Sequence, residues 1–440
     1  MQRFIDHDLR AWKNSSRRKP LIIRGARQVG KTFSVKRFAE TCFENYALVD
    51  LEKNPDWHGI FEENLNVQRI CSDLEVLLGK KITPGKSLLF IDEIQSCPQA
   101  IMALRYFHED LPELHVIAAG SLLEFAMKHI SFPVGRIQFL YLRPLSFAEF
   151  LAAKGNESAT KIILSKPQKL SQPLHEHLCK ELHQYFFIGG MPESVKAFIV
   201  SGSLQESFEV QKEICETYRL DFAKYQPGTD SLYLNSVLTS VSQHVGKQIK
   251  YARLGEGFSN PVLKKSFHLL RLANIIHKVP AADPSDLPLG ATASEKIFKS
   301  LIVDIGLMGY LTGMSMKFEY QKQNLLDIYR GSMAEQFVGQ EMILSQDGII
   351  HYWSRQAKSS TAEVDFLAVK NDNIFPIEVK SGSSGKLKSL HLCLEKYKNC
   401  PSGIVFSSRP YAELTDQKLL FIPIYYAFSA TGGKAKMENQ

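Results

Sequence analysis

The segment Leu21–Phe33 combines glycines, a lysine and a threonine at a spacing suited to phosphate binding. It reads L-I-I-R-G-A-R-Q-V-G-K-T-F, so an apolar strand precedes Gly25 and a helix is expected to begin after Gly30. Glycines there let backbone N–H groups surround a polyphosphate, and the helix N-terminus adds partial positive charge. The alternative is a chance glycine loop. The complete G-x-x-x-x-G-K-T pattern between a strand and a helix favours a phosphate-binding P-loop.

This loop predicts an ATP site with a Mg²⁺ ion. We expect Lys31 to reach the β- and γ-phosphates, as a catalytic cation, and the Thr32 hydroxyl to be a Mg²⁺ ligand. The predicted nucleotide-binding residues of the loop are Gly25, Ala26, Arg27, Gln28, Val29, Gly30, Lys31 and Thr32.

A second apolar run, beginning at Ser87, ends in two adjacent carboxylates, Asp92 and Glu93. In isolation such an ending is equally typical of a helix cap. Because the run follows a P-loop, we expect Asp92 to hold Mg²⁺ and contact the nucleotide site, and Glu93 to be the catalytic base that polarises the attacking water.

Two further polar residues follow predicted strands of the same region. Ser121 comes after the strand Leu114–Ala119, so its hydroxyl is expected to sense the γ-phosphate, to cap the next helix, or both. Arg136 precedes the strand Ile137–Leu142. It is a candidate arginine finger, in cis or in trans, and a solvated surface arginine is the equal alternative.

Strands and helices alternate through residues 1–143, which predicts a doubly wound parallel sheet. Residues 144–227 are predicted to form a helical lid. The break G-G-M-P-E at Gly189–Glu193 is either a hinge or a helix C-cap followed by a proline stop. At the other end of the chain, residues 431–440 are predicted to be a disordered tail.

Residues 228–324 are predicted to form a winged-helix-like unit. A helix from Ser231, a turn, the basic helix Asn260–Leu272 and a strand occur in that order. Lys264 and Lys265 on the basic helix make DNA a predicted partner. The alternative is a small helical packing module with exposed lysines.

Residues 325–430 carry a second group of charged residues. If Asn371 and Asp372 form a two-residue hairpin loop, Asp365 lies opposite Glu378, and Glu363 lies opposite Lys380, all on one face. Carboxylates facing one another repel unless a cation lies between them. The alternative is a solvated face with a Glu363–Lys380 salt bridge, worth less than about 1 kcal/mol.

The pattern D-x(12)-E-x-K on consecutive strands resembles the PD-(D/E)xK nuclease fold. That resemblance implies Asp365 and Glu378 as Mg²⁺ ligands and Lys380 as the residue that assists the water nucleophile. Glu335, on a predicted preceding helix, matches the additional acidic metal ligand of some of those nucleases.

As a whole, the chain resembles prokaryotic ATPases with an N-terminal AAA-type domain and a C-terminal domain of unknown function. The resemblance rests on G-A-R-Q-V-G-K-T, L-F-I-D-E-I-Q, A-G-S, P-L-S-F-A-E-F, G-G-M-P-E, K-S-L-I-V-D-I-G-L, E-V-D-F and I-E-V-K-S-G. It implies an α/β protein with a P-loop AAA-type sheet, a helical lid, a winged-helix-like unit and a nuclease-like C-terminal domain.

Composition is consistent with these classes. The net charge of +7 and pI near 8.8 are compatible with DNA but do not establish it. Seven scattered cysteines, the charged N-terminus and the lack of a long apolar run predict a cytoplasmic protein with no membrane contact. A homo-oligomer is possible.

Overall fold

The computed structural model describes residues 1–121, 123, 135–225, 230–313, 331–346, 348–357, 360–380 and 387–433. The chain forms two compact units, one made chiefly of Gln2–Arg143 and the other chiefly of residues from Pro144 onward. In these parts of the chain, no helix has both the length and the apolar character needed to cross a membrane.

The N-terminal unit is built on a sheet of five parallel strands in the order β2-β3-β4-β1-β5. The strands are β1 Leu21–Arg24, β2 Asn45–Asp50, β3 Ser87–Asp92, β4 His115–Ala119 and β5 Gln138–Tyr141. The described helices are α1 Phe4–Asn14, α2 Lys31–Cys42, α3 His58–Glu62, α4 Val67–Leu78 and α5 Pro98–Asp110. The prediction of a parallel α/β sheet is confirmed.

Strands β3 and β4 form the centre of this unit, and every residue of both is buried. Their continuous apolar runs are typical of parallel strands covered by helices on both faces. Because neighbouring strands run in the same direction, the residues that follow β1, β3 and β4 emerge at one edge of the sheet. That edge is where ligands of such sheets bind.

The second unit begins with helices. They are α6 Phe147–Ala153, α7 Glu157–Leu164, α8 Gln172–Ile188, α9 Pro192–Ser201, α10 Leu204–Tyr225, α11 Ser231–Gln243 and α12 Asn260–Leu272. An antiparallel pair follows, β6 Ile276–Pro280 with β7 Phe298–Ile302, and then α13 Ile305–Leu311. Helix α12 has the bounds that the sequence predicted.

The Gly-Gly break between α8 and α9 is closely packed. Gly189 ends α8 with φ 69°, and Pro192 starts α9. The Gly190 N–H donates a 2.6 Å hydrogen bond to the buried Asp304 carboxylate, which also accepts from two N–H groups at the start of α13. The helix-cap alternative therefore accounts for this break.

The C-terminal part contains a six-stranded mixed sheet in the order β12-β13-β11-β10-β9-β8. Its strands are β8 His351–Ala357, β9 Ser360–Lys370, β10 Asn373–Val379, β11 Gly403–Ser407, β12 Ala412–Leu414 and β13 Leu419–Pro423. The accompanying helices are α14 Gly331–Ser345, α15 Lys388–Lys396 and α16 Ala427–Ala430.

The β9–β10 hairpin has the predicted loop and register. Asn371 and Asp372 both have positive φ, 49° and 58°, and Ile377 pairs with Phe366. Such a two-residue turn matches the twist of antiparallel strands. Continuing this register brings Asp365 opposite Glu378, as the sequence predicted.

Part of the predicted tail is packed. Thr431 is fully buried, and its hydroxyl is 2.7 Å from the Ser345 hydroxyl. The rest of that prediction, residues 434–440, lies outside the described residues.

Candidate functional site

The loop between β1 and α2 has the backbone that its glycines predict. Gly25 has φ 145°, and a Cβ there would lie 2.1 Å from the Leu142 carbonyl oxygen. Gly30 has φ 93° and precedes the first residue of α2. These positions exclude larger side chains, so a cradle of backbone groups forms at the α2 N-terminus.

Lys31 lies back over this loop. Its Nζ donates to the carbonyl oxygens of Gly25 at 3.1 Å and Ala26 at 2.8 Å, and the residue is only 7% exposed. The cation is thus held beside the cradle by neutral acceptors. A polyphosphate in the cradle would place its oxygen atoms beside this ammonium group.

Thr32 and Asp92 meet across the sheet edge. The Thr32 hydroxyl donates a 2.7 Å hydrogen bond to Asp92 Oδ2. Asp92 is buried at the end of β3, and burial raises the pKa of its carboxyl group above the ordinary value. A hydroxyl and a carboxylate at this separation suit the oxygen ligands that Mg²⁺ prefers, so the residues present fit a Mg–ATP complex.

Glu93 is held by a residue to which the sequence assigned no role. Glu93 has φ 48°, unusual for a residue with a side chain, and the Gln95 amide donates a hydrogen bond to its carboxylate. The amide oxygen of Gln95 lies beside Gly120. The approach is so close that a Cβ added to Gly120 would lie 2.2 Å from this oxygen. Gln95 therefore lies between the predicted base and the end of β4 and is hydrogen-bonded to the base.

Ser121 and Arg136 lie at different edges of the sheet. Ser121 is buried just beyond β4, between the strands that carry the P-loop and Asp92. Its helix-capping alternative concerns residues that are mostly outside the described ones. Arg136 precedes β5, so it lies at the opposite edge, and its Nε donates to Glu109 at 2.8 Å. Arg136 was therefore a wrong candidate for an arginine finger in cis. The length of β5 separates it from the edge of the sheet that carries the P-loop.

The charged residues of the C-terminal unit also come together. Glu335 is on α14, Asp365 on β9 and Glu378 on β10, and Lys380 directly follows β10. The Asp365 Oδ2 accepts a 2.8 Å hydrogen bond from the Val379 N–H, and Lys380 Nζ lies 2.5 Å from Glu378 Oε1. Lys380 thus pairs with Glu378, whereas the sequence alternative paired it with Glu363.

A buried lysine that the sequence analysis missed lies within this group. Lys299, on β7, is 1% exposed. Its Nζ is 2.6 Å from Glu363 Oε1, 3.3 Å from Glu335 Oε2 and 3.4 Å from Asp365 Oδ1. We call Lys299, Glu335, Glu363, Asp365, Glu378 and Lys380 the carboxylate cluster.

Protonation in the carboxylate cluster follows from burial and charge. Burial by itself lowers the pKa of Lys299, but Asp365, Glu335 and Glu363 together raise it above the ordinary value. The lysine is therefore an ammonium ion. Burial and the charge of Asp365 raise the pKa of Glu335 to about 8 and that of Glu378 to about 7.

Three sequence segments match known family models. Residues 17–151 match an AAA domain, residues 179–317 a domain of unknown function (DUF8612), and residues 330–426 a second domain of unknown function (DUF4143). The first match agrees with the parallel sheet and the loop geometry of the N-terminal unit, which is similar to an AAA domain over residues 17–151. No curated protein matches the chain.

Several solved structures are distantly similar. The Walker-type ATPase Paby2304 of Pyrococcus abyssi has 16% identity and a TM-score of 0.44, over 70% of this chain and 94% of that one. The Aeropyrum pernix ORC1 protein in complex with DNA has 12% identity and a TM-score of 0.29, over 70% and 90%. The Thermotoga maritima RuvB Holliday junction branch migration motor has 14% identity and a TM-score of 0.29, over 63% and 88%.

Proposed function

We propose that this chain binds Mg–ATP at residues 25–32 and hydrolyses it. The observation that carries the proposal is the 2.7 Å hydrogen bond from Thr32 to Asp92, which joins the P-loop to the end of β3. These are the two protein oxygens that the hydrolysis of a P-loop nucleotide requires near its metal ion.

Each charged group has a separate task in this proposal. The backbone of the cradle binds the phosphates, and Lys31 exchanges its carbonyl partners for phosphate oxygens. Thr32 and Asp92 hold Mg²⁺, which neutralises charge on the β- and γ-phosphates when it is bound. Glu93, which is hydrogen-bonded to Gln95, accepts a hydrogen bond from the attacking water and then its proton. The Ser121 hydroxyl contacts the γ-phosphate.

The test is steady-state ATP hydrolysis by the full chain. Lys31→Ala is expected to lower turnover by about 10²-fold or more, because it removes the mobile cation at the phosphates. Lys36→Ala, on the same helix but outside the loop, is the matched control and is expected to retain activity. Unchanged hydrolysis in Lys31→Ala would refute the P-loop assignment.

A second proposal is that α11, α12 and the β6–β7 hairpin form a winged-helix-like unit that contacts DNA. Helix α12 buries Leu263, Phe267 and Leu270 and exposes Lys264 and Lys265. A helix with one apolar face and exposed cations suits contact with phosphates.

We also propose that residues from α14 to β13 have the PD-(D/E)xK nuclease-like fold. This is supported by the hairpin that carries Asp365, Glu378 and Lys380, and by α15, which links β10 to its parallel neighbour β11. Such a unit would either cleave DNA with Mg²⁺ or serve as a docking module. The charge arrangement around Lys299 favours the docking module.

Assembly into a homo-oligomer remains part of the proposal. With Arg136 at the far edge of its own sheet, an arginine acting on the nucleotide would come from elsewhere, and a neighbouring copy of the chain is one source. Sedimentation with and without ATP tests this.

A further inference from the structure

Most carboxylate oxygen atoms of the carboxylate cluster already have partners within the protein. Mg²⁺ binds oxygen ligands at about 2.0–2.1 Å and requires near-octahedral geometry. Asp365 Oδ1 faces the Lys299 ammonium, and Asp365 Oδ2 accepts from the Val379 N–H. Both oxygens of the predicted central ligand are therefore already engaged within the protein.

The other carboxylates are engaged at both oxygens, as in Glu363, or at one, as in Glu335 and Glu378. Glu363 has one oxygen on Lys299 and the other on the Gln248 amide at 3.2 Å. Glu335 contacts Lys299, and Glu378 contacts Lys380. Among the described residues, Glu378 Oε2 is buried without a hydrogen-bond partner, and one such atom does not make a metal site.

The cluster is also covered by residues from the preceding helical part. Gly246 has φ 80°, and a Cβ there would lie 2.8–2.9 Å from the Glu335 carboxylate atoms. The side chain of Gln248 reaches Glu363, and Lys299 enters from β7. Three side chains of the cluster are only 14–15% exposed to solvent: those of Glu335, Asp365 and Glu378.

A cation among these carboxylates offsets their mutual repulsion. Carboxylates gathered in a buried space repel one another and are costly to desolvate unless a positive charge lies among them. Lys299 is the side chain whose ammonium lies within 3.4 Å of three of them. It has the place and the charge sign of a metal ion, and it is covalently attached to the β6–β7 hairpin.

We propose that the ammonium group of Lys299 takes the place of the divalent cation in the carboxylate cluster, so that this nuclease-like site binds no metal while the β6–β7 hairpin is docked. The cluster then fastens the hairpin to the β8–β9–β10 face. This inference does not depend on ATP hydrolysis, because none of its residues belongs to the P-loop.

The proposal predicts a gain of metal binding when the ammonium is removed. Lys299→Met keeps an unbranched side chain that is one atom shorter and leaves the carboxylates without their cation. The full chain is titrated with Mn²⁺ without nucleotide, and free Mn²⁺ is followed by electron paramagnetic resonance. Every sample also carries Asp92→Asn, which removes the carboxylate beside the P-loop, so that Mn²⁺ bound there is not counted.

We expect no saturable Mn²⁺ binding in the Lys299-containing chain and one bound ion in Lys299→Met, with at least about tenfold higher affinity. Lys299→Arg retains the positive charge and should gain no site. Lys278→Met is the matched control on the neighbouring strand, where the lysine pairs with the exposed Glu295, and it should gain none either.

Two results would overturn the proposal. One is stoichiometric Mn²⁺ binding by the Lys299-containing chain that Asp365→Asn abolishes. The other is a folded Lys299→Met chain that gains no Mn²⁺. If Lys299→Met is poorly folded, thermal unfolding with Mn²⁺ decides the question: a rise in Tm seen only for Lys299→Met supports the proposal, and an equal rise in the Lys299-containing chain contradicts it.

Discussion

The P-loop and the carboxylate cluster each contain a buried lysine, but the two lysines have different kinds of partner. Lys31 is hydrogen-bonded to the neutral carbonyl groups of Gly25 and Ala26, whereas Lys299 lies among three carboxylates. Carbonyl dipoles stabilise a cation without cancelling its charge. A cation held by carboxylates has its charge balanced already, and removing one member of such a buried group is costly.

The carboxylates of the two sites show the same contrast. Asp92 accepts from a hydroxyl and from the Glu93 N–H, groups that a metal complex can displace or share. Asp365 is bound to an ammonium and a backbone N–H. The first site is arranged for a ligand, and the second satisfies its own charges.

The largest expected effect on stability concerns Lys299. Lys299→Met should lower the free energy of unfolding by about 3–5 kcal/mol, because it leaves buried carboxylates without their cation. Urea unfolding at neutral pH measures this change. Lys278→Met should cost less than about 1 kcal/mol, since its partner Glu295 is 95% exposed. Similar losses in the two variants would remove the distinction between the carboxylate cluster and an ordinary ion pair.

Replacing the predicted base should separate binding from chemistry at the P-loop. Glu93→Gln is expected to bind ATP normally and to hydrolyse it about 10²-fold more slowly, the usual range for loss of a general base. A fluorescent ATP analogue measures binding, and phosphate release measures turnover. Loss of nucleotide binding in this variant would show instead that Glu93 supports the loop structurally.

Stability should also depend on pH through Glu341, a buried carboxyl of α14 that accepts from the Phe147 N–H. Burial raises the pKa of Glu341 from 4.5 to about 8. The folded state therefore binds the proton more tightly than the unfolded chain, so stability falls as the pH rises from about 4.5 to about 8 and is constant above.

Glu341→Gln keeps an acceptor for Phe147 and removes this titration. Relative to the unsubstituted chain, the variant should gain about 3 kcal/mol of stability between pH 5 and pH 8. Unfolding curves at several pH values provide the comparison. A difference that does not change with pH would mean that Glu341 remains ionised in the folded protein.

A smaller effect is expected at the exposed face of α12. Reversing Lys264 and Lys265 to Glu should weaken DNA binding and reduce the slope of log affinity against log salt by about 2, because two phosphate contacts are lost. Fluorescence anisotropy over a range of salt concentrations measures the slope. An unaltered slope would indicate that the winged-helix-like unit does not contact DNA through this helix.

The sequence predicted best those features that depend on residues close together in the chain. Lys31 and Thr32 follow Gly30 directly, and the β9–β10 register follows from Asn371, Asp372 and the alternation of side chains. These features depend on turn geometry and on a period of two residues, so a single sequence is sufficient to predict them.

The contacts of Lys299 could not be predicted in the same way. Its partners Glu335 and Asp365 are 36 and 66 residues away in the chain, on different elements. The available signal was a lysine within the mostly apolar strand Phe298–Ile302, because a lysine is almost never fully buried without a partner. Gln95 was missed because its role depends on the approach of Gly120 from β4.

The contrast between the two sites is tested most directly by counting bound metal ions. The full chain is equilibrated with Mn²⁺ and a non-hydrolysable ATP analogue, and bound Mn²⁺ per chain is measured in parallel with Lys31→Ala and Asp365→Asn. We predict one ion per chain, lost in Lys31→Ala together with the nucleotide and retained in Asp365→Asn. A second ion, or an ion that disappears in Asp365→Asn and persists in Lys31→Ala, would contradict the account.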